Sequence, residues 1–272
     1  MDKIIGLGNA LVDVLATLKD DTLLDEMGLP KGSMQLIDDA KLQQINAKFS
    51  QMKTHLATGG SAGNTILGLA CLGAGTGFIG KVGNDHYGDF FRKNLQKNNI
   101  EDNLLTSEQL PSGVASTFIS QDGERTFGTY LGAAASLKAE DLTLEMFKGY
   151  AYLFIEGYLV QDHEMILHAI ELAKEACLQI CLDMASYNIV ENDLEFFSLL
   201  INKYVDIVFA NEEEAKAFTG EEPEEALRVI AKKCSIAIVK VGANGSYIRK
   251  GTEEIKVSAI PVEKVLDTTG AG

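Results

Sequence analysis

Short, wholly apolar runs separated by amphipathic stretches set the pattern of this chain. Ile4-Ile5-Gly6-Leu7-Gly8, Tyr152-Leu153-Phe154-Ile155, Gln179-Ile180-Cys181-Leu182, Asp206-Ile207-Val208-Phe209 and Ile236-Ala237-Ile238-Val239-Lys240-Val241 each read as a strand buried on both faces. Between them, 39–52, Thr65 to Leu72, 163–176 and 193–203 carry helical periodicity, and Asp85 is placed to cap a helix running to about Asn98. Apolar strands alternating with helices predict an α/β fold, a mostly parallel sheet covered by helices on both faces. Residues 113–132 follow a different rule. They alternate in period two on either side of Asp122-Gly123, which predicts a hairpin. With the runs near 11–18 and 33–37, the hairpin (113–131) is expected to form a small antiparallel sheet apart from the main one. No linker or internal repeat divides the chain, so 1–272 reads as one domain.

Composition narrows the class. The chain has 272 residues, 46% of them hydrophobic, and a mean hydropathy of +0.04. That suits a packed core, and its longest apolar runs fall far short of the roughly 20 residues that span a bilayer. A net charge of −15 makes nucleic acid and anionic membrane poor partners. An apolar run begins almost at Met1, so no signal peptide is expected and a cytoplasmic location is. Cys71, Cys177, Cys181 and Cys234 form no CxxC and read as core thiols; neither they nor the four histidines have metal-site spacing.

In a parallel sheet ligands bind beyond the carboxyl ends of the strands, and the segments with chemistry fall there: Asn9 to Asp13, Gly59 to Asn64, Gly157-Tyr158, Asn211 to Glu214 and Gly242 to Gly245. Asp13 is a carboxylate within an apolar run, costly unless paired; it is either a turn residue or an acceptor for ligand hydroxyls. Gly59-Gly60-Ser61-Ala62-Gly63-Asn64 is either a tight turn capped by Ser61 or a close backbone approach to a ligand. Asn211-Glu212-Glu213-Glu214 reads equally as a helix cap with acids in the first turn. Lys240-Val241-Gly242-Ala243-Asn244-Gly245 is a turn that a ligand phosphate would also fit. Asp267-Thr268-Thr269-Gly270-Ala271-Gly272 places small residues where successive N–H groups can form an anion nest. A dinucleotide-binding dehydrogenase is discounted, because Gly6-Leu7-Gly8 lacks the third glycine of GxGxxG.

Gly59 to Asn64, Gly80-Lys81-Val82-Gly83-Asn84-Asp85-His86-Tyr87-Gly88, Asn211 to Glu214 and Asp267 to Gly272 together resemble the signatures of the PfkB/ribokinase family of small-molecule kinases. The resemblance covers the whole chain and implies a ribokinase-like fold with a β lid over the acceptor. It implies transfer of the γ-phosphoryl group of ATP, with Mg²⁺, to a hydroxymethyl hydroxyl of a sugar or nucleoside. Gly8 to Asp13 and Tyr130 to Ala135 look most like adenosine-kinase relatives, with a ribokinase- or fructokinase-type sugar kinase as the alternative. On this resemblance Asn9, Leu11, Asp13, Gly59, Gly60, Asn64, Arg125 and Tyr158 would meet the acceptor. Asn211, Lys240, Gly242 and Gly245 would meet the nucleotide, and Asn211 and Glu214 would meet Mg²⁺ through water. Gly270, Ala271 and Gly272 would form the anion hole, with Asp267 shaping that loop beside a site for a monovalent cation such as K⁺. The family's catalytic Asp would follow Gly272, so the chain is expected to stop just before its base; a natural end there would instead suit an inactive binding relative. The resemblance leaves monomer and lid-mediated homodimer both open.

Overall fold

The computed structural model describes residues 2–261. Their strands and helices run β1 (Ile4–Leu7), β2 (Leu11–Thr17), α1 (Thr22–Met27), β3 (Met34–Leu36), α2 (Asp39–Phe49), β4 (Thr54–Gly59), α3 (Ser61–Cys71) and β5 (Thr76–Gly83). There follow α4 (His86–Lys97), β6 (Ile100–Ser107), β7 (Gly113–Ile119), β8 (Arg125–Tyr130), β9 (Tyr152–Glu156), α5 (His163–Glu175) and β10 (Gln179–Asp183). The last are α6 (Tyr187–Asn192), α7 (Leu194–Lys203), β11 (Ile207–Asn211), α8 (Glu212–Thr219), α9 (Pro223–Ala231), β12 (Ile236–Lys240), β13 (Ser246–Lys250) and β14 (Glu253–Val257).

Nine strands form the main sheet in the order β14-β13-β12-β11-β10-β9-β1-β5-β6, parallel from β12 through β6 and antiparallel at the β13 and β14 edge. Alternation sorts its side chains into two cores. Leu153, Ile155, Ile180 and Leu182 join Ile166 and Ile170 of α5 and Phe197 of α7 on one face. Phe154 and Cys181 point the other way, toward the core that Ile66 of α3 and Phe91 of α4 build on Phe78. This is the α/β arrangement that the periodicity predicts, in the ribokinase-like form that the resemblance implies.

The second sheet, β3-β8-β7-β2-β4, is antiparallel at β2–β4 and β7–β8 and parallel at β2–β7 and β3–β8. Gly123, at φ +86°, closes the Asp122-Gly123 turn of its hairpin. One face is sealed by α1 and α2, where the rings of Phe49 and Phe118 meet at a tilt with centroids 4.9 Å apart. β4 is an addition to the strands expected from the pattern.

Not every thiol is a core thiol. Cys181 is buried and Cys234 partly so, but Cys71 at the end of α3 and Cys177 in the left-handed turn after α5 (φ +64°) are exposed. All four are free.

Candidate active site

β1 ends at Leu7, and Gly8-Asn9-Ala10 carries the chain from the main sheet into β2 of the smaller one. Gly8 must be glycine: a Cβ there would stand 2.5 Å from the Cβ of Ala62 and 2.7 Å from Oε2 of Glu156. Asn9, 6% exposed, donates through Nδ2 to Oε1 of Glu156 at 2.7 Å. Glu156 closes β9 and is 1% exposed; its Oε2 accepts from Ala62 N at 3.0 Å. Burial pushes this carboxyl above the ordinary glutamate range, against the pull of its bonds from Ala62 and Asn9.

α3 therefore starts differently from expectation. Ser61 is its first residue, not its cap; Gly60 holds the cap position at φ +84°, ψ 138° with no side-chain bond. A carboxylate from β9 serves the orphaned N–H of Ala62 instead. A Cβ on Gly60 would run into the carbonyl oxygen of Asn9, and one on Gly59 into the carboxylate of Asp13. Both glycines are thus required by close approach.

These residues border a cavity of about 720 Å³. Asn9, Asp13, Gly60, Ser61, Asn64 and Glu156 give it a polar border, and Leu11, Phe127, Leu131, Leu159, Met165 and Ile189 add apolar walls. Met34 and Leu36, 47% and 65% exposed, project from β3 onto its rim. Tyr158 lines it too; burial raises its phenol, with the charges of Glu156, Glu214 and Asp183 adding to the effect. Gly59 supports Asp13 from outside this lining, and Arg125, at the start of β8, does not border the cavity.

A second cavity, of about 450 Å³, opens where β11 and β12 end and takes in Asn211, Lys240 and Gly242 together with Glu212, Glu213 and Lys216. Asn211 and Glu214 form a reciprocal cap. Asn211 Oδ1 accepts from Glu214 N, and Asn211 N and Nδ2 donate to the two oxygens of Glu214, all at 2.8 Å. Burial raises the Glu214 carboxyl to about 7. Lys240 Nζ lies 3.4 Å from Oδ2 of Asp183 at the end of β10. Gly245, at φ +92°, sits where a Cβ would strike the backbone of Val257 and does not border the cavity; it closes a turn in which Val241 N donates to its carbonyl at 2.8 Å. Asp267, Gly270, Ala271 and Gly272 lie outside the described residues.

The Gly80 to Gly88 segment brings nothing into either cavity. It joins the two sheets: Asp85 caps α4 through Gly88 N at 2.9 Å and accepts from Ser112 N and Oγ, both at 2.7 Å, just before β7 leaves for the smaller sheet. Glu156 and Asp183 escaped the sequence reading. Each is an acid at the point where a buried strand ends, and that position was their only signal.

A family model described as pfkB family carbohydrate kinase matches residues 33–272. The chain belongs to the PfkB family. Among other PfkB-type proteins, it is 26% identical to guanosine-inosine kinase of Escherichia coli K12 over 92% of this chain and 61% of that protein. It is 24% identical to adenosine kinase 2 of Arabidopsis thaliana over 99% and 84%. The chain thus spans about three fifths of the guanosine-inosine kinases it matches. In structure it resembles a probable sugar kinase from Rhizobium etli (TM-score 0.88, 33% identity, 100% and 83% coverage). It also resembles the adenosine kinase of Sinorhizobium meliloti (TM-score 0.86, 32% identity, 99% and 83%).

Proposed function

We propose that this PfkB member is an ATP-dependent kinase that phosphorylates a hydroxymethyl hydroxyl of a nucleoside, with adenosine-like acceptors favoured over bare sugars. The observation that carries the reading is the first cavity. Its polar border, Asn9, Asp13 and Asn64, suits the hydroxyls of a ribose, while its apolar walls have room for a base. A volume of about 720 Å³ lies well within the roughly 300–1,000 Å³ of sites for drug-sized ligands, and a lone pentose would leave the Leu159, Met165 and Ile189 wall unused.

Phosphoryl transfer asks the protein for placement and charge stabilisation more than for covalent chemistry. Asp13 and Asn9 would orient the acceptor, with Gly59 and Gly60 leaving the space this needs. β3 and β8, carrying Met34, Leu36 and Phe127, would act as the lid that excludes water. The nucleotide would occupy the second cavity, along Lys240 and Gly242, with Gly270, Ala271 and Gly272 as its anion hole. Among the described residues no group of three or more His, Cys, Asp or Glu is arranged to hold a metal directly. Asn211, which borders the cavity, would act on Mg²⁺ through its water shell, the mode a reluctantly dehydrated cation favours, with Glu214 behind it, its two oxygens on Asn211; the ion would supply neutralisation of the phosphate charge.

Turnover of adenosine, guanosine, inosine, ribose and fructose by the full-length protein with MgATP tests the proposal. A nucleoside should give the highest kcat/KM. A sugar without a base turned over fastest would favour the ribokinase- or fructokinase-type alternative, and no turnover with tight nucleoside binding would favour an inactive relative. No helix among the described residues is long and apolar enough to cross a membrane.

A further inference from the structure

Glu156 has no part in the transfer just described, yet it is the most buried acid bordering the acceptor cavity. It is 1% exposed, and the partners of its two oxygens among the described residues are N–H groups. Oε1 accepts from Asn9 Nδ2 at 2.7 Å and Asn9 N at 3.4 Å, and Oε2 accepts from Ala62 N at 3.0 Å. Gly8 and Gly60 leave the room that this carboxylate fills. Its contact with Asn9 has a directional consequence. An amide has a donor end and an acceptor end; the N–H groups of Ala62 and Asn9 aimed at both oxygens favour the ionised Glu156 against its burial, and were Asn9 turned over against that carboxylate, its oxygen would face another oxygen at 2.7 Å with no proton between them. The Nδ2 end is therefore held on Glu156. Asn9 also lines the cavity, and its Oδ1 has no partner among the described residues.

We propose that Glu156 is a positioning residue: it locks the Asn9 amide with its oxygen toward the acceptor while its second oxygen ties the start of α3 to the same strand end. The inference rests on the kinase reading above. It makes Asn9 and Asp13 alike in sign, two acceptors that reward hydroxyl donors on the ligand. Removing the lock frees the amide to present its NH₂ group, a donor, to a ligand hydroxyl.

Glu156→Gln separates the lock from mere bulk, because glutamine keeps the shape but has one oxygen for two sets of donors. With that oxygen on Ala62 N, its NH₂ faces Asn9 and turns the amide over. Affinity of the full-length protein for adenosine and for ribose, measured by calorimetry, should fall by about tenfold or more, the effect of a mispaired buried polar group. Its affinity for MgATP should not change. Combining Asn9→Asp with Glu156→Gln should restore acceptor affinity to within about threefold of the original, since the glutamine NH₂ then donates to the new carboxylate, which still offers an oxygen to the ligand.

Asn9→Asp alone sets two carboxylates at a 2.7 Å contact that must share a proton. Its acceptor affinity should fall more steeply with rising pH than that of the unaltered protein, in which Glu156, raised by burial and by the Asp183 charge, meets only N–H partners at this contact. This variant decides the matter should Glu156→Gln not fold. Unchanged acceptor affinity in Glu156→Gln, no recovery in the double variant, or a pH profile for Asn9→Asp no steeper than that of the unaltered protein would each overturn the inference while leaving the kinase reading intact. Failure of the unaltered protein to bind any nucleoside or sugar would refute both.

Discussion

Replacing Glu214 by glutamine should alter how stability responds to pH more than it alters stability at any one pH. Glu214 is 3% exposed, and burial is the main cause that lifts its carboxyl from 4.5 to about 7. The Asn211 backbone N–H pulls the value down, the Asp183 charge pushes it up and the Lys240 ammonium lowers it. Below 4.5 both folded and unfolded chains hold the proton. Between 4.5 and about 7 the unfolded chain releases it while the folded one retains it, so stability falls as pH rises and levels off above about 7. At about 1.4 kcal/mol per tenfold change in proton affinity, this single group removes roughly 3 kcal/mol across that window.

Glutamine has no proton to lose. It does have only one oxygen for the two Asn211 donors, both now at 2.8 Å, which should make the variant about 1–2 kcal/mol less stable at pH 4.5. The two stability curves should therefore converge and then cross as pH rises toward 7. Urea unfolding of both proteins, followed by circular dichroism from pH 4.5 to just above 7, measures the crossing. Curves that stay parallel would show that Glu214 is ionised throughout and that the argument from burial is wrong.

Three further outcomes follow from the geometry. Gly60→Ala puts a Cβ at φ +84° against the Asn9 carbonyl; it should destabilise by on the order of 1–3 kcal/mol and abolish acceptor binding, and a variant that binds adenosine normally in calorimetry would count against the cradle. Asp85→Ala removes a helix cap and both bonds to Ser112. It should cost about 1–3 kcal/mol and lower the melting temperature by roughly 5 °C, so an unchanged melt would remove the joint from the account. Chelating Mg²⁺ should weaken ATP binding by about tenfold or more, about 1.4 kcal/mol, with no change in acceptor affinity; equal ATP affinity with and without the ion would contradict the water-mediated role of Asn211 and Glu214.

Most of the parallel sheet was legible because strands buried on both faces leave no polar position to mask the run, as in Tyr152 to Ile155; β5 and β6 were not, because glycines and Lys81 interrupt the first and Glu101, Asp102 and Asn103 the second. Thr54–Gly59 was not, because most of it is only half-buried and Thr54, His55 and Thr58 interrupt any apolar run. In the site, Asp13 stood out as an acid inside an apolar run. Glu156 did not, because at the end of a run an acid looks like the first residue of a loop. Its partner Ala62 is 94 positions away, and no local pattern encodes so distant a cap. Ser61 shows the same limit from the other side: it has the chemistry of a cap at the right spacing, and the through-space carboxylate displaced it. Asn211 and Glu214 were readable because a reciprocal cap is local, three residues apart. Gly245 was ambiguous for a related reason, since the backbone that forbids its Cβ lies at the end of β14, at Val257 to Ala259.

A net charge of −15 raises the question of how a triphosphate would be held, and the second cavity narrows the answer. Lys216 pairs with Glu222 at 2.7 Å and Lys240 with Asp183 at 3.4 Å, while Glu212 and Glu213 stand on the same wall. Each lysine there already faces a carboxylate, so a phosphate entering alone would compete with Asp183 for Lys240 and meet two further acids. Like charges repel as strongly as opposite ones attract at the same distance and dielectric, so a lysine already shared with a carboxylate leaves little net attraction for a phosphate. On the proposed reading the missing attraction has to come from an ion that arrives with the phosphates and from backbone N–H groups. The acceptor cavity would have the opposite need: on the same reading Asn9 and Asp13 would take hydrogen bonds from uncharged hydroxyls, and their negative potential would repel nothing that a nucleoside carries. An acidic surface and an anionic co-substrate would then be compatible, because only the second cavity would have to reverse sign and the proposed cation arriving with the nucleotide would reverse it.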